Sequence, residues 1–391
     1  MIFSKQNADR YIVFAVTIQC LLALIQIIML ESFGMKSEIA TGYRVIFTAV
    51  PLSAAIVISF KRRPVLFVSV YIIAAVVLMA NLVIFPENAS YLSSDALRFL
   101  LPVTIPSALC LMTISDDKTF EDVLYAISWV AFALVLYYAY CLFTGRIVFE
   151  SYNMGFSYTI LLPTVSLYSR KKFYSVVAAV MMLALSVAIG SRGAALVFLI
   201  YVAYDLYSTN KKVFLLYVIV LAIVVANAII INNILLDNGI SSRTLNHLVE
   251  GELLDDTHRG LQQKQVINAF LRQPIMGLGL WGDRSVIGVY SHNLIIEILA
   301  CWGVVLGAVI LIYSCVKCLR IYRKANRAGK SVVIKYFIVL VMPLMVSGSY
   351  LTSYMLPMYV AILYLLNREA KIKAPESYMR SLKSFKTIKS Q

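Results

Sequence analysis

The segment VFLLYVIVLAIVVANAIIINNILL, residues 213–236, runs without one charged side chain. A helix needs roughly 20 apolar residues to cross the hydrocarbon core of a bilayer, and this segment is long enough to do so. Uncharged windows of similar length occur at Tyr11–Leu30, Val65–Phe85 and Val123–Phe143. Of all 391 residues, 61% are hydrophobic and 14% are charged, whereas soluble proteins carry about 25% charged residues. This composition excludes a water-soluble protein and indicates a membrane protein.

Further crossings are predicted from apolar windows that are shorter or that contain a charged residue. These windows are Val45–Phe60, Phe99–Ser115, Ser151–Ser169, Phe173–Ile189, Gly193–Tyr207 and Asn293–Val316. The final tract, Ser331–Leu366, is too long for one helix, and Gly348 with its polar neighbours predicts that it folds back as two short helices. The sequence therefore predicts an all-α polytopic membrane protein with about twelve transmembrane helices, organised as one integral membrane domain over residues 1–391.

The positions of the basic residues predict the orientation. Lys and Arg accumulate in short cytoplasmic loops, and twelve crossings with both termini cytoplasmic put Lys61–Arg63, Arg170–Lys172 and Lys211–Lys212 inside. Residues 367–391 then form a basic cytoplasmic tail. The basic residues behind the net charge of +15 then lie beside the inner leaflet, whose anionic lipids attract them. Membrane lipids, rather than a nucleic acid, are therefore expected as partners.

A long external loop is predicted at residues 237–290, between the ninth and tenth helices. Long loops that a compact protein keeps are usually functional. Thr257 and the aspartate before it can cap a helix over about 258–272, and Pro274 ends that helix. The Gly277–Gly279 segment then predicts a flexible turn.

The histidines of the chain gather in and beside this loop. His247 and His258 lie within it, and His292 follows it directly. Their spacing matches no metal-binding pattern, so neither a metal nor another cofactor is expected. The cysteines lie in predicted helices or at their ends, so no disulfide framework is implied.

Two arginines and one acid complete the candidate chemistry. Arg192 interrupts two apolar runs between glycines, and an arginine beside accessible backbone N–H groups suits a phosphate. The alternative for Arg192 is a tight turn with a snorkelling side chain, and for His292 a capping or interfacial role. Arg259 lies in the first turn of the loop helix. Glu297 is an intramembrane carboxylate and should face protein or water, as a catalytic group or as the partner of an arginine.

An ordered set of motifs resembles the O-antigen polymerase and O-antigen ligase superfamily, over about residues 151–366. The set is Gly190-Ser191-Arg192-Gly193, then Arg259 leading to Ala269-Phe270, Pro274 and Gly277-Leu278-Gly279, then Ser291-His292-Asn293 followed by Glu297, Gly303 and Gly307. The resemblance implies a metal-independent GT-C-type glycosyltransferase. Such an enzyme acts on undecaprenyl-diphosphate-linked glycans, at the outer, periplasmic face of the bacterial inner membrane.

Roles for the candidate residues follow from this resemblance and from their chemistry. Arg192 and Arg259 are expected to hold the diphosphate, and His292 to activate or orient the acceptor hydroxyl. Further expected substrate-binding residues are Arg146, Arg243, Arg272, Arg284, Asn293 and Glu297.

Three functions remain open on the sequence. The preferred one is a surface-polysaccharide polymerase, which transfers a growing lipid-linked glycan to the sugar hydroxyl of a lipid-linked repeat unit. A ligase, which transfers the finished glycan to lipid A–core, would use the same motifs. A lipid-linked oligosaccharide flippase is the third. A chain-length regulator is a possible partner that the resemblance implies.

Overall fold

The computed structural model describes residues 4–147, 154–189, 192–237 and 257–368, together with Val249. Over these residues the chain forms helices joined by turns, without a β-strand. The helices are α1 Lys5–Phe33, α2 Ser37–Arg62, α3 Pro64–Ile84, α4 Pro86–Leu111, α5 Asp117–Phe143, α6 Met154–Ser169, α7 Phe173–Ile189, α8 Arg192–Thr209, α9 Lys211–Ala226, α10 Ala228–Asp237, α11 Thr257–Arg272, α12 Gly282–Ile287, α13 Leu294–Lys324, α14 Arg327–Val346 and α15 Met355–Arg368.

Seven of the described helices are long and apolar enough to cross a membrane, namely α1 to α5, α13 and α14. The pair α9 and α10 makes an eighth when it is counted as one span bent by 59°. Helices α7, α8 and α15 are apolar but shorter. The chain is thus an all-helical, multi-pass membrane protein, while the count of twelve crossings stays a prediction.

Apolar side chains on the outer helices face away from the protein. Val65, Ile73 and Val83 of α3 are 78%, 63% and 77% exposed, and α9 has no buried residue. Water would penalise such continuous apolar faces, whereas lipid tails solvate them. In contrast, α1 is the most buried of the candidate spans, with Ile12 and Leu24 fully enclosed against α2, α5 and α6.

The final apolar tract is divided as the sequence predicts. Helix α14 ends at Val346 and α15 begins at Met355, with non-helical backbone between them. Gly348 has a φ of +100°, which a residue with a Cβ rarely adopts. The segment 347–354, which we call the wall segment, therefore interrupts the helices inside the protein.

Helix α13 is interrupted too, which the sequence did not predict for its single window. Gly303 has φ 74° and ψ 169° in the middle of the helix. The broken turn frees backbone groups, and the loop after α11 satisfies them: Val304 N donates to Pro274 O at 2.7 Å, and Leu278 N donates to Ala300 O at 2.6 Å. Loop and helix approach so closely that a Cβ on Gly303 would lie 1.9 Å from Ile275 O.

The turn predicted at Gly277–Gly279 is present, with both glycines at positive φ, but it is buried and hydrogen-bonded rather than flexible. Leu280 N donates to Asn81 Oδ1 at 2.6 Å, and Asn88 Nδ2 donates to Leu278 O at 2.8 Å. Trp281 follows and is fully buried. Non-helical backbone is tolerated at membrane depth where protein surrounds it, and these contacts provide that surrounding.

Candidate functional site

A cavity of about 610 Å³ lies where several helix ends meet the wall segment. The end of α1, the starts of α2 and α6 and the end of α14 all contribute, so these ends lie on one side of the helix bundle. In the predicted topology this is the external side. The described lining residues include one arginine and no carboxylate; the polar and aromatic ones are Gln26, Arg44, Tyr158, Thr159, Tyr290, Ser347, Ser353 and Tyr354.

His292 lies beside the cavity through its neighbour Tyr290. The two rings are 4.3 Å apart between centroids, at 53° to each other, and Tyr290 lines the cavity. His292 has a positive φ of 55°, a conformation that turns the chain sharply before α13. The capping role belongs to Asn293, whose Oδ1 accepts hydrogen bonds from Ile295 N at 3.0 Å and Ile296 N at 3.2 Å.

Arg259 and the Arg192 segment reach the same region. The half-buried Arg259 donates from Nη1 to Val346 O at 3.2 Å, directly before the wall segment. Arg192 begins α8, and its side chain lies outside what the structure describes. Its neighbour Gly193 packs so tightly on Tyr158, a cavity residue, that a Cβ there would lie 2.1 Å from the tyrosine hydroxyl.

The other predicted arginines fall into different surroundings. Arg146 stacks over the ring of Tyr140 at 5.7 Å, at the end of α5. Arg272 is exposed in the last turn of α11. Neither is among the described residues that line the cavity. Arg243 lies outside the described residues.

The histidines inside the predicted loop also lie outside the description. His247 is not described at all, and of His258 only the helical backbone is described. Their proximity to the cavity therefore stays a prediction.

Arg284 is buried in a cluster of acids rather than lining a glycan path. Its Nε lies 3.4 Å from Asp95 Oδ2, and its Nη1 lies 3.8 Å from Asp283 Oδ1 and 3.9 Å from Glu297 Oε1. Its Nη2 donates to Ser349 Oγ at 3.1 Å. Arg284 is 5% exposed, and Asp283 and Glu297 are fully buried. Glu297 thus has the position of an arginine partner, one of the two roles open from the sequence.

This charge cluster holds two lengths of backbone that border the cavity. Glu297 accepts hydrogen bonds from Ser349 Oγ and, at 3.1 Å, from Tyr350 N in the wall segment. Asp283 accepts from Ser291 N at 2.8 Å, between Tyr290 and His292. Burial raises the pKa of the Asp283 carboxyl, against the opposing effects of Arg284 and of the backbone N–H groups.

Sequence reasoning missed Arg44, Tyr158, Tyr290 and Tyr354 as cavity residues. The apolar window that predicts the second helix begins at Val45, so Arg44 lies just outside that window. The structure places it inside α2 and on the cavity. An arginine that directly adjoins an apolar window was the available signal.

Neither a metal site nor a known relative identifies the cavity. Among the residues that the structure describes, no three His, Cys, Asp or Glu side chains are arranged to hold a metal ion. Compared with known proteins, the chain matches no protein-family model, no curated protein and no solved structure. Its function is therefore inferred from its own residues.

Proposed function

We propose that the protein is a polysaccharide polymerase of the bacterial inner membrane. It transfers a growing glycan from undecaprenyl diphosphate to a sugar hydroxyl of a lipid-linked repeat unit, without a metal. The observation that carries this proposal is the cavity itself. Three segments far apart in sequence, which hold Gly193, Arg259 and His292, meet around it.

The chemistry around the cavity suits a lipid diphosphate and a glycan. An anionic leaving group is stabilised by fixed cations and N–H donors in a site with little water. Arg259 supplies such a cation at the wall segment. The tyrosines offer flat apolar faces with polar hydroxyls, which suit sugar rings. The cavity lies at helix ends, where a lipid-anchored substrate presents its headgroup.

The transfer step follows from these parts. The acceptor hydroxyl oxygen attacks the anomeric carbon of the donor glycan, and the bond from that carbon to the diphosphate oxygen breaks. His292 takes the proton of the hydroxyl, since a neutral imidazole is a competent base near neutral pH. Arg259, together with Arg192, stabilises the charge on the departing diphosphate. Direct displacement inverts the anomeric carbon.

The test uses purified protein in nanodiscs with its lipid-linked repeat unit as the only substrate, in the presence of EDTA. A ladder of glycan lengths is expected on a gel. Absence of a ladder with the correct repeat unit, followed by transfer when lipid A–core is added, would replace the polymerase with a ligase. Inactivity with both acceptors refutes glycan transfer.

Variants then test the assigned roles. Replacing His292 with Ala should lower turnover by about 10²–10⁴-fold, the usual contribution of a general base. Arg259→Lys keeps the charge but loses the planar fork and should also reduce turnover. Arg323→Gln is the matched control, because Arg323 is exposed in the last turn of α13 and does not line the cavity. Full activity of the His292 variant removes the histidine from the mechanism.

A further inference from the structure

Arg44 is a half-buried cation about two turns into α2, and it lines the cavity. Its Nη1 donates to Gln26 Oε1 of α1 at 3.0 Å. Gln26 Nε2 in turn donates to Thr41 Oγ1 at 3.1 Å. This chain of hydrogen bonds fixes the guanidinium on the α1–α2 side of the cavity.

Arg44 has a neutral hydrogen-bond partner, as does Arg63, which donates to Tyr364 Oη beyond the other end of α2, whereas three other inward-facing cations have carboxylate partners. Arg62 pairs with Asp9, Lys335 pairs with Glu121 at 2.7 Å, and Arg284 lies among three carboxylates. Among the described residues, no carboxylate lies within 4.0 Å of Arg44. The structure thus provides it with an orienting amide but with no counter-charge.

A cation inside a membrane helix is expensive and is rarely kept without use. Insertion scales put an arginine at the helix centre at about 2.5–3.5 kcal/mol, and intramembrane ionisable residues pair with one another or mark a substrate path. Arg44 faces the cavity rather than a carboxylate. An anion in the cavity would give Arg44 the counter-charge that its described neighbours do not provide.

We propose that Arg44, oriented by Gln26, binds the diphosphate of the acceptor lipid, at a second anion position in the cavity. This inference rests on the proposed function and deepens it. A polymerase holds two lipid-linked substrates at once, and each carries a diphosphate. Arg259 is anchored beside the cavity at the end of α14, whereas Arg44 lines the cavity from α2 and is held by Gln26 of α1, so the two cations belong to different elements around the cavity.

The experiment measures binding of farnesyl diphosphate, a short lipid diphosphate, to the full-length protein in nanodiscs by isothermal titration calorimetry. Farnesol, which has the same lipid and no anion, is the ligand control. Two sites are expected for the unmodified protein. In Arg44→Gln one site should weaken by about 10- to 100-fold, as expected for loss of a charge-assisted contact, and Arg259→Gln should weaken the other. Arg323→Gln, at an exposed position in the last turn of α13, should keep both.

Each outcome separates the two proposals. A single site that Arg259→Gln weakens and Arg44→Gln leaves unchanged overturns the role of Arg44 and leaves the polymerase standing. A single site that both substitutions weaken places Arg44 on the donor diphosphate and overturns the second position. Farnesol that binds as tightly as the diphosphate, or no binding of either, counts against both the cavity function and the role of Arg44.

Discussion

Removing the positive charge of Arg284 should destabilise the protein more than removing the negative charge of Glu297. The cluster holds one cation among three carboxylates, at 3.4–3.9 Å, with the Arg284 side chain only 6% exposed. Arg284→Gln leaves the acids without their cation, and breaking a buried pair in this way costs about 3–5 kcal/mol. Partial protonation of the carboxylates would bring the loss of stability towards the lower end of this range.

Glu297→Gln should cost less, about 1–2 kcal/mol, for two reasons. The amide oxygen can still accept from Tyr350 N, so this hydrogen bond persists without the charge. The substitution also removes a negative charge from a cluster that has an excess of them. The electrostatic reasoning is tested by which of the two variants loses more stability, rather than by the size of either loss.

The measurement is the free energy of unfolding in mixed detergent–SDS micelles, followed by tryptophan fluorescence. Trp302 reports on the cluster directly, because its Nε1 donates to Tyr350 Oη at 2.8 Å. Arg323→Gln controls for loss of an exposed arginine at a helix end and should change stability by less than about 0.5 kcal/mol. The reasoning is refuted if Glu297→Gln costs as much as Arg284→Gln, or if Arg284→Gln matches the Arg323 control.

Three further outcomes are expected. Burial raises the pKa of Asp283 above its usual value of about 3.9, so its contribution to stability is present at low pH and is lost as pH rises through the raised pKa. Asp283→Asn should therefore flatten that part of the pH profile of the free energy of unfolding. An unchanged profile would contradict this. Gly303→Ala should prevent correct folding, since its Cβ would lie 1.9 Å from a backbone carbonyl oxygen and its φ is +74°. The control Gly42→Ala, whose Cβ would have nothing within 4 Å, should be neutral or stabilising by up to about 1 kcal/mol. Equal melting temperatures of the two variants would disprove the close approach at Gly303. Gly193→Ala should displace Tyr158 and reduce glycan transfer, and adding Tyr158→Phe should restore part of it; a fully active single variant would show that the tyrosine position does not matter.

Much of the helical fold could be predicted from the sequence, because bilayer crossing is a local property of uncharged windows. The break near Gly348 could also be predicted, since a glycine between polar residues interrupts an apolar tract. The break at Gly303 was not. It lies in an apolar run like its surroundings, and its cause is a hydrogen bond from Val304 N to Pro274 O, thirty residues earlier in the chain. Such long-range backbone pairing leaves no local pattern.

The candidate site was predicted in part. The order of motifs drew attention to Arg259 and His292, and the structure brings both beside one cavity. The role of Arg284 in the charge cluster could not be predicted from the sequence, because its partners lie in other segments: Asp95 in α4 and Ser349 in the wall segment. The sequence alone does not distinguish a substrate-binding arginine in a predicted loop from a buried arginine that is paired with carboxylates.

The charge cluster explains how a cavity bordered by non-helical backbone can keep a fixed shape. One wall contains Tyr290 and the other Ser347, and both residues lie outside the helices. Asp283 fixes the first through Ser291 N, and Glu297 fixes the second through Tyr350 N, while Arg284 lies close to both acids. A shift of either wall would thus take an N–H donor away from a buried carboxylate, which the low-dielectric interior penalises. The same cluster that opposes this movement preorganises the groups beside the cavity, as catalysis by fixed charges requires.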